Sequence, residues 1–175
     1  RGLGDVYKRQ SYFRQNAANR KGKHIMKKML QKSAVMRGTD NMVIKEIPVP
    51  EIKDKEVLVS LEYVGICGSD VHYYHNGNCG AYKVDLSQDF MLGHECAGTV
   101  VEVGKDVENL KPGDRVALEP GITCGKCEFC KSGHYNLCPD VVFLATPPVQ
   151  GCNEEFIAFP EDMCFKLPCL LYTSP

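Results

Sequence analysis

Apolar and polar positions alternate in short runs along most of this chain, the period of half-buried β-strands. Val57-Leu-Val-Ser-Leu-Glu-Tyr-Val64 is one such run, and Cys96-Ala-Gly-Thr-Val-Val-Glu-Val103, closed by Gly104, is another. The turn Lys111-Pro-Gly-Asp114 feeds a strand at Arg115–Leu118, and Glu154–Phe159 alternates again before Pro160. Ala34–Arg37, the turn Gly38-Thr-Asp-Asn41 and Met42–Ile47 read as a hairpin that Pro48 and Pro50 end. No helical period is sustained and no internal repeat is visible. The pattern predicts a mainly β domain over about residues 33–168, with long loops at 65–93 and 119–152. Long loops on a β scaffold are where binding and catalysis concentrate, and here they hold the unusual residues.

Residues 1–30 are polar and basic without a period, which predicts a disordered or non-native extension. The stretches 1–10 and 169–175 resemble translated sequencing-adaptor read-through, so the native start is expected at Met26 or Met29 and the native chain is expected to be interrupted after Pro168.

Composition narrows the class. The 175 residues are 43% hydrophobic and 25% charged, as in ordinary globular proteins. A net charge of −1 gives no reason to expect nucleic acid or an anionic membrane as partner. No window has the length of apolar run that spans a bilayer, and the basic N-terminal stretch lacks the apolar core of a signal peptide. These features favour a reducing cytoplasm, where clustered cysteines bind metal rather than pair.

Of ten cysteines, four fall within fifteen residues: Cys124, Cys127, Cys130 and Cys138, spaced C-x2-C-x2-C-x7-C. Loops this short let four thiolates converge on one ion, and four sulfurs in tetrahedral geometry suit a structural Zn²⁺ with no open position. Lys126 and Lys131 would offset the negative charge of such a centre. Two alternatives compete. An iron–sulfur run ends in a shorter gap, C-x3-C-P, although this stretch does end Cys138-Pro139. Disulfides fit an even cysteine count.

A second constellation lies in the first loop, Gly65-Ile-Cys67-Gly-Ser69-Asp70-Val-His72-Tyr73-Tyr74-His75, and at Gly93-His94-Glu95-Cys96. Cysteine, histidine and glutamate can form a mixed-ligand zinc site with an open position, as catalytic sites have. Neighbours on a flat strand point to opposite faces, so His94 and Glu95 share an ion only if the chain bends, which Gly93 permits. Each residue also has a plain reading. A lone cysteine is most often a small buried hydrophobe, Ser69 can cap a turn or helix, His72 can be a surface residue, and Tyr73 and Phe143 can be core aromatics. His75 and His134 read as solvated loop residues, and Cys79, Cys96, Cys152 and Cys164 as small buried or loop thiols.

These motifs occur in one order: Gly-Ile-Cys67-Gly-Ser-Asp-Val-His-Tyr73, Gly93-His-Glu-Cys-Ala-Gly-Thr-Val100, Lys111-Pro-Gly-Asp-Arg-Val116, then the four-cysteine lobe within 119–140. In that order they resemble the zinc-dependent medium-chain dehydrogenases. Asp70-Val-His-Tyr73 and Phe143-Leu-Ala-Thr-Pro-Pro148 resemble the polyol (sorbitol or xylitol) branch. The resemblance covers roughly Lys32 to Pro168. It implies a GroES-like β catalytic domain of alcohol-dehydrogenase type, truncated before the Rossmann domain that binds NAD. It assigns Cys67, His94 and Glu95 to catalytic zinc, with Glu95 behind the ligands instead in related alcohol dehydrogenases. Ser69 matches the hydroxyl that contacts the substrate oxygen and starts a proton relay, and His72 lies further along it. Asp70 matches a carboxylate that orients the zinc histidine, and Tyr73, Phe143 and Thr146 match the polyol pocket.

In that family the zinc is a Lewis acid that lowers the pKa of the substrate hydroxyl, so that hydride can pass to nicotinamide and leave a ketose. The resemblance further implies a small-molecule polyol substrate and a homo-oligomer for the full-length enzyme. No G-x-G-x-x-G on a βαβ unit is present, so the fragment alone is expected to bind zinc but not NAD, and to be inactive. The alternative is a non-catalytic zinc-binding β module for partner binding, which would have no use for an open metal position beside a hydroxyl and a histidine.

Overall fold

The computed structural model describes residues 29–168, and there the alternating runs become strands. The predicted hairpin forms from β1 (Leu30–Gly38) and β2 (Asn41–Pro48), with Asp40 of the turn at φ 56°. Strands β3 (Glu56–Gly65), β7 (Glu95–Val103), β8 (Arg115–Leu118), β11 (Phe156–Pro160) and β12 (Cys164–Lys166) build a five-stranded antiparallel sheet in the order β11-β3-β7-β8-β12. A smaller sheet has the order β2-β1-β6, where β6 is Phe90–Met91. Two short pairs complete the strands: β4 (Asn78–Cys79) with β5 (Tyr82–Lys83), and β9 (Gly121–Ile122) with β10 (Val142–Phe143).

The main core lies on one face of the five-stranded sheet, where Val57, Val59, Val100, Val116, Ile157 and Phe159 pack together. On the other face of β3, Leu58 packs with Val49 and Phe156, so this end of the strand is covered on both sides rather than half-buried. A third cluster, of Met36, Tyr73, Val84, Phe90 and Leu92, fills the space beneath the small sheet.

Short strands β4, β5, β6, β9 and β10 stand inside the two predicted loops, and two larger features also depart from the sequence pattern. The extension predicted through residue 30 gives way to strand at Leu30, and Gln31 is among the most buried residues. Its polarity hides the strand, but its amide is paired. Gln31 Oε1 accepts the Phe156 N–H at 2.6 Å, and its Nε2 donates to Glu154 Oε2 at 2.9 Å. The rest of the predicted extension and the adaptor-like stretches lie outside the described residues. The second departure is a helix, α1 (Gly68–Asn76), inside the first predicted loop. It is short and only Asp70 and Tyr73 are buried, so it carries no apolar stripe to read. Among the described residues no helix is long and apolar enough to cross a membrane.

Gly98 of β7 lies opposite Leu61 of β3, beside a register shift between Leu61 and Tyr63. A Cβ there would collide with the Ser60 carbonyl oxygen, a backbone atom that cannot swing aside. Gly98→Ala is therefore expected to cost roughly 1–3 kcal/mol by overpacking, read as a lower urea midpoint with unchanged slope. A second prediction concerns pH. Burial pushes the Glu154 carboxyl up from 4.5 to about 7, against the opposing Gln31 hydrogen bond. The folded state thus holds this proton where the unfolded state releases it. The stability it contributes is full below about 4.5 and lost as pH rises through about 7. Urea midpoints at about pH 5 and about pH 8 should fall for the wild type relative to Glu154→Gln; parallel profiles would refute the assignment.

Candidate active site

The site begins where β3 ends. Cys67 is the N-cap of α1, with extended backbone, and Asp70 sits three residues on, in the first turn. Asp70 is 5% exposed, and its carboxylate is paired on both oxygens. Oδ2 accepts the Cys67 N–H at 3.0 Å, and Oδ1 accepts the Gly93 N–H at 3.1 Å. Oδ1 also lies 3.5 Å from His94 Nδ1. A proton held on Nδ1 toward Asp70 leaves the Nε2 lone pair free for a metal.

The bend that the sequence requires at Gly93 is present: its φ is +92°. A side chain there would also strike the Asn153 amide and Val64. A strap at Gly151–Asn153 holds this turn through its backbone. Gly151 N–H donates to Met91 O at 2.8 Å, Cys152 N–H to Gly93 O at 2.8 Å, and Asn153 N–H to Leu92 O at 3.1 Å. Sequence reasoning missed the strap, because nothing local in 151–153 signals a partner sixty residues away.

With the chain so bent, one donor atom each from Cys67, His94 and Glu95 lie within 4.8 Å of one another. Glu95 is exposed, and the His94 side chain keeps 12% of its surface. Phe143 sits against His94, ring centroids 5.7 Å apart at 55°. Soft thiolate, imidazole and carboxylate, open on one side, form a donor set that fits zinc with room for a further ligand. Ser69, half-buried, and His72, exposed, lie one helical turn apart on α1 and are neighbours on its surface.

Tyr73 is 4% exposed and packs edge-on against Phe90, centroids 6.2 Å apart, within the cluster beneath the small sheet. Burial, with smaller contributions from Cys79, Tyr82 and Asp70, holds its phenol above the usual range. Thr146 is half-buried in the turn after Phe143, its N–H donating to Phe143 O at 3.2 Å. His75 is exposed on the last turn of α1, with Nδ1 2.5 Å from Asp40 Oδ1, so it is helical rather than a loop residue. His134 is exposed, with Nδ1 3.2 Å from Ser132 Oγ. Cys96, Cys152 and Cys164 are buried and Cys79 is half-buried. A hydrogen bond with Cys96 and burial push the Cys152 thiol far up, and burial pushes Cys164 to about 12, so both stay neutral core groups.

The four-cysteine run forms a separate centre. The Sγ atoms of Cys124, Cys127, Cys130 and Cys138 all lie within 4.8 Å of one another. Cys127 and Cys130 are 3.4 Å apart, and Cys124 and Cys130 are 3.9 Å apart. Four sulfurs at about 2.3 Å from one zinc would be about 3.8 Å apart, so the cage fits a single ion. These separations exceed a disulfide bond of about 2.05 Å, and sulfurs spread over the irons of a cluster would stand further apart. Backbone amides lower one of these thiols, while Cys127, despite the Cys130 amide, is left raised by burial and its neighbours' hydrogen bonds. The Lys126 and Cys127 N–H groups lower the Cys124 thiol to about 6, and Cys127 Sγ accepts the Cys130 N–H at 3.4 Å where it caps α2 (Glu128–Lys131). Gly125, at φ +67°, makes the tight turn that aims these amides.

Comparison with known proteins identifies the scaffold. The family model of the alcohol dehydrogenase GroES-like domain matches residues 53–169, more than half of the chain. The sorbitol dehydrogenase of Bacillus subtilis is 55% identical over 137 residues, which cover 78% of this chain and 38% of that protein. A probable D-xylulose reductase A of Arthroderma otae is 52% identical over 137 residues, with the same shares. Among solved structures, an Escherichia coli oxidoreductase/dehydrogenase of unknown specificity superposes with a TM-score of 0.73 at 46% identity, over 81% of this chain and 41% of that one. The chain thus spans 38% of the length of the curated relatives it matches. Matched over most of its described strands, and with its thiols and imidazole on the turns of that scaffold, the chain belongs to the alcohol dehydrogenase GroES-like domain family.

Proposed function

We propose that this chain supplies the metal-binding catalytic domain, about residues 33–168, of a cytoplasmic, zinc-dependent and NAD-linked dehydrogenase that oxidises a secondary alcohol of a polyol to a ketose. The observation that carries the reading is the convergence of Cys67, His94 and Glu95 on one partly open spot, with Asp70 tying both contributing segments together. Cys67, His94 and Glu95 would hold the catalytic zinc, and Cys124, Cys127, Cys130 and Cys138 a structural one. When bound, the catalytic ion supplies Lewis acidity that makes the substrate hydroxyl more acidic.

The chain's own residues do the rest. Asp70 fixes the imidazole by facing Nδ1 and holds the N-terminus of α1 against the Gly93 turn. Ser69 accepts the hydroxyl proton and passes it along the surface of α1 toward exposed His72 and solvent. Phe143 shields one side of His94, and with Thr146 in the following turn it borders the space open to a small polyol. Among the described residues all strand pairs are antiparallel and no βαβ unit occurs, so no hydride step is assigned to them. The relatives' names, sorbitol dehydrogenase and D-xylulose reductase, support a polyol as the substrate class.

Elemental analysis of reduced protein should give two zinc ions per chain. Cys67→Ser should remove one without unfolding the domain, whereas Cys124→Ser should remove the other and destabilise the lobe. A single zinc, lost only with Cys124→Ser, would favour a structural zinc module instead. In an enzyme of the relatives' full length carrying these residues, polyol-dependent NAD reduction is expected. There Ser69→Ala should lower kcat by roughly 10²-fold at unchanged zinc content. A kcat untouched by that change would remove Ser69 from the relay.

A further inference from the structure

Gly65 stands directly opposite Glu95, the last pair of the β3–β7 ladder before the chain turns toward Cys67. Directly opposed residues in an antiparallel pair ordinarily hold their Cβ atoms about 4.5–5.5 Å apart and fill the space between. Here the space is filled from one side only. A Cβ on Gly65 would stand 2.5 Å from Glu95 Oε2, 3.1 Å from Glu95 Cβ and 3.5 Å from its Cδ. The Glu95 side chain therefore lies back across the bare Cα of Gly65, and this path brings its carboxylate beside Cys67 and His94.

Backbone conformation does not explain the glycine, because the φ of Gly65 lies outside the left-handed region and other residues can adopt it. Gly98 differs: what a Cβ would meet there is the Ser60 backbone. At Gly65 the nearest atom is the end of a flexible side chain, so the strand can accept a methyl group by turning Glu95 away and yielding a few tenths of an ångström at the Glu95 Cβ.

We propose that Gly65 is a positioning residue for the active centre: its missing side chain is the cradle that admits the Glu95 carboxylate to the ion shared by Cys67 and His94. The residue at position 65 thereby decides whether that centre has a carboxylate. The proposal rests on the zinc-centre reading above.

Graded chelator competition, with zinc per chain read by elemental analysis, separates the four-cysteine lobe from the second ion. Gly65→Ala is expected to weaken the second ion by roughly 10- to 100-fold, the range for lost supporting groups at metal sites, while the lobe keeps its zinc. Glu95→Ala should weaken it similarly, and the double variant should be no weaker than Glu95→Ala alone, since the methyl group then meets only the Cβ of residue 95 and has no carboxylate to displace. Wild-type affinity in Gly65→Ala, or losses that add in the double variant, would overturn the proposal. If Gly65→Ala alone fails to fold, the double variant decides. Folding and binding as Glu95→Ala does supports the cradle, and misfolding there moves the role to the backbone and overturns it. A wild type that holds one zinc overturns the proposal together with the reading beneath it, whereas two zincs with an unaffected Gly65→Ala overturns the cradle alone.

Discussion

The candidate active site depends on one buried carboxylate. Asp70 receives the Cys67 and Gly93 amides and faces His94, so a single side chain joins the N-terminus of α1 to the turn that opens β7. These segments are remote in sequence, the Gly93 amide lying 23 residues beyond Asp70. A buried carboxylate is costly unless its charge is met by donors, and here the donors are the groups that must be positioned. The helix N-terminus adds its own favourable field for a negative charge at that place. Neutralising the carboxylate would thus loosen thiol and imidazole together.

The two candidate metal centres solve different problems with different donor sets. In the lobe, all four donors are sulfur and come from one stretch, with amides of the same loop turned onto them. Backbone hydrogen bonds turn the lobe, but little apolar burial holds it. Its helix buries no residue, and Phe129, Tyr135 and Leu137 are exposed. A bound ion there would replace a core. At Cys67, His94 and Glu95 the core already exists on both sides of the sheet, so an ion need not organise the fold.

The strands were legible because alternation is a local property. β8 begins and ends as its pattern says, and β3 and β7 differ by a residue at the ends. What was not legible is non-local. Gln31 reads as an exposed polar residue until Phe156 and Glu154 supply its partners from across the chain. Helix α1 escaped because so small a buried face makes no periodic stripe, though Asp70 three residues after Cys67 and the left-handed Gly77 at its end were available signals. The four-cysteine cage was readable from spacing alone. The mixed centre was readable as residue types and a required bend at Gly93, which the backbone makes. The strap at Gly151–Asn153 and the burial of Tyr73 needed the fold itself.

Glycine appears at each place where this scaffold turns sheet into site, yet for different physical causes. At Gly93 the backbone is left-handed and the surroundings are also full, so two constraints coincide. At Gly98 and Gly151 another backbone approaches too closely for any side chain. At Gly65 neither holds, and the space is taken by the end of Glu95. A scaffold made only for stability gains nothing from a strand glycine, which weakens the strand and leaves a gap. Where that gap contains a carboxylate aimed at a thiol and an imidazole, the missing side chain is better explained by the chemistry beside it than by the sheet in which it sits.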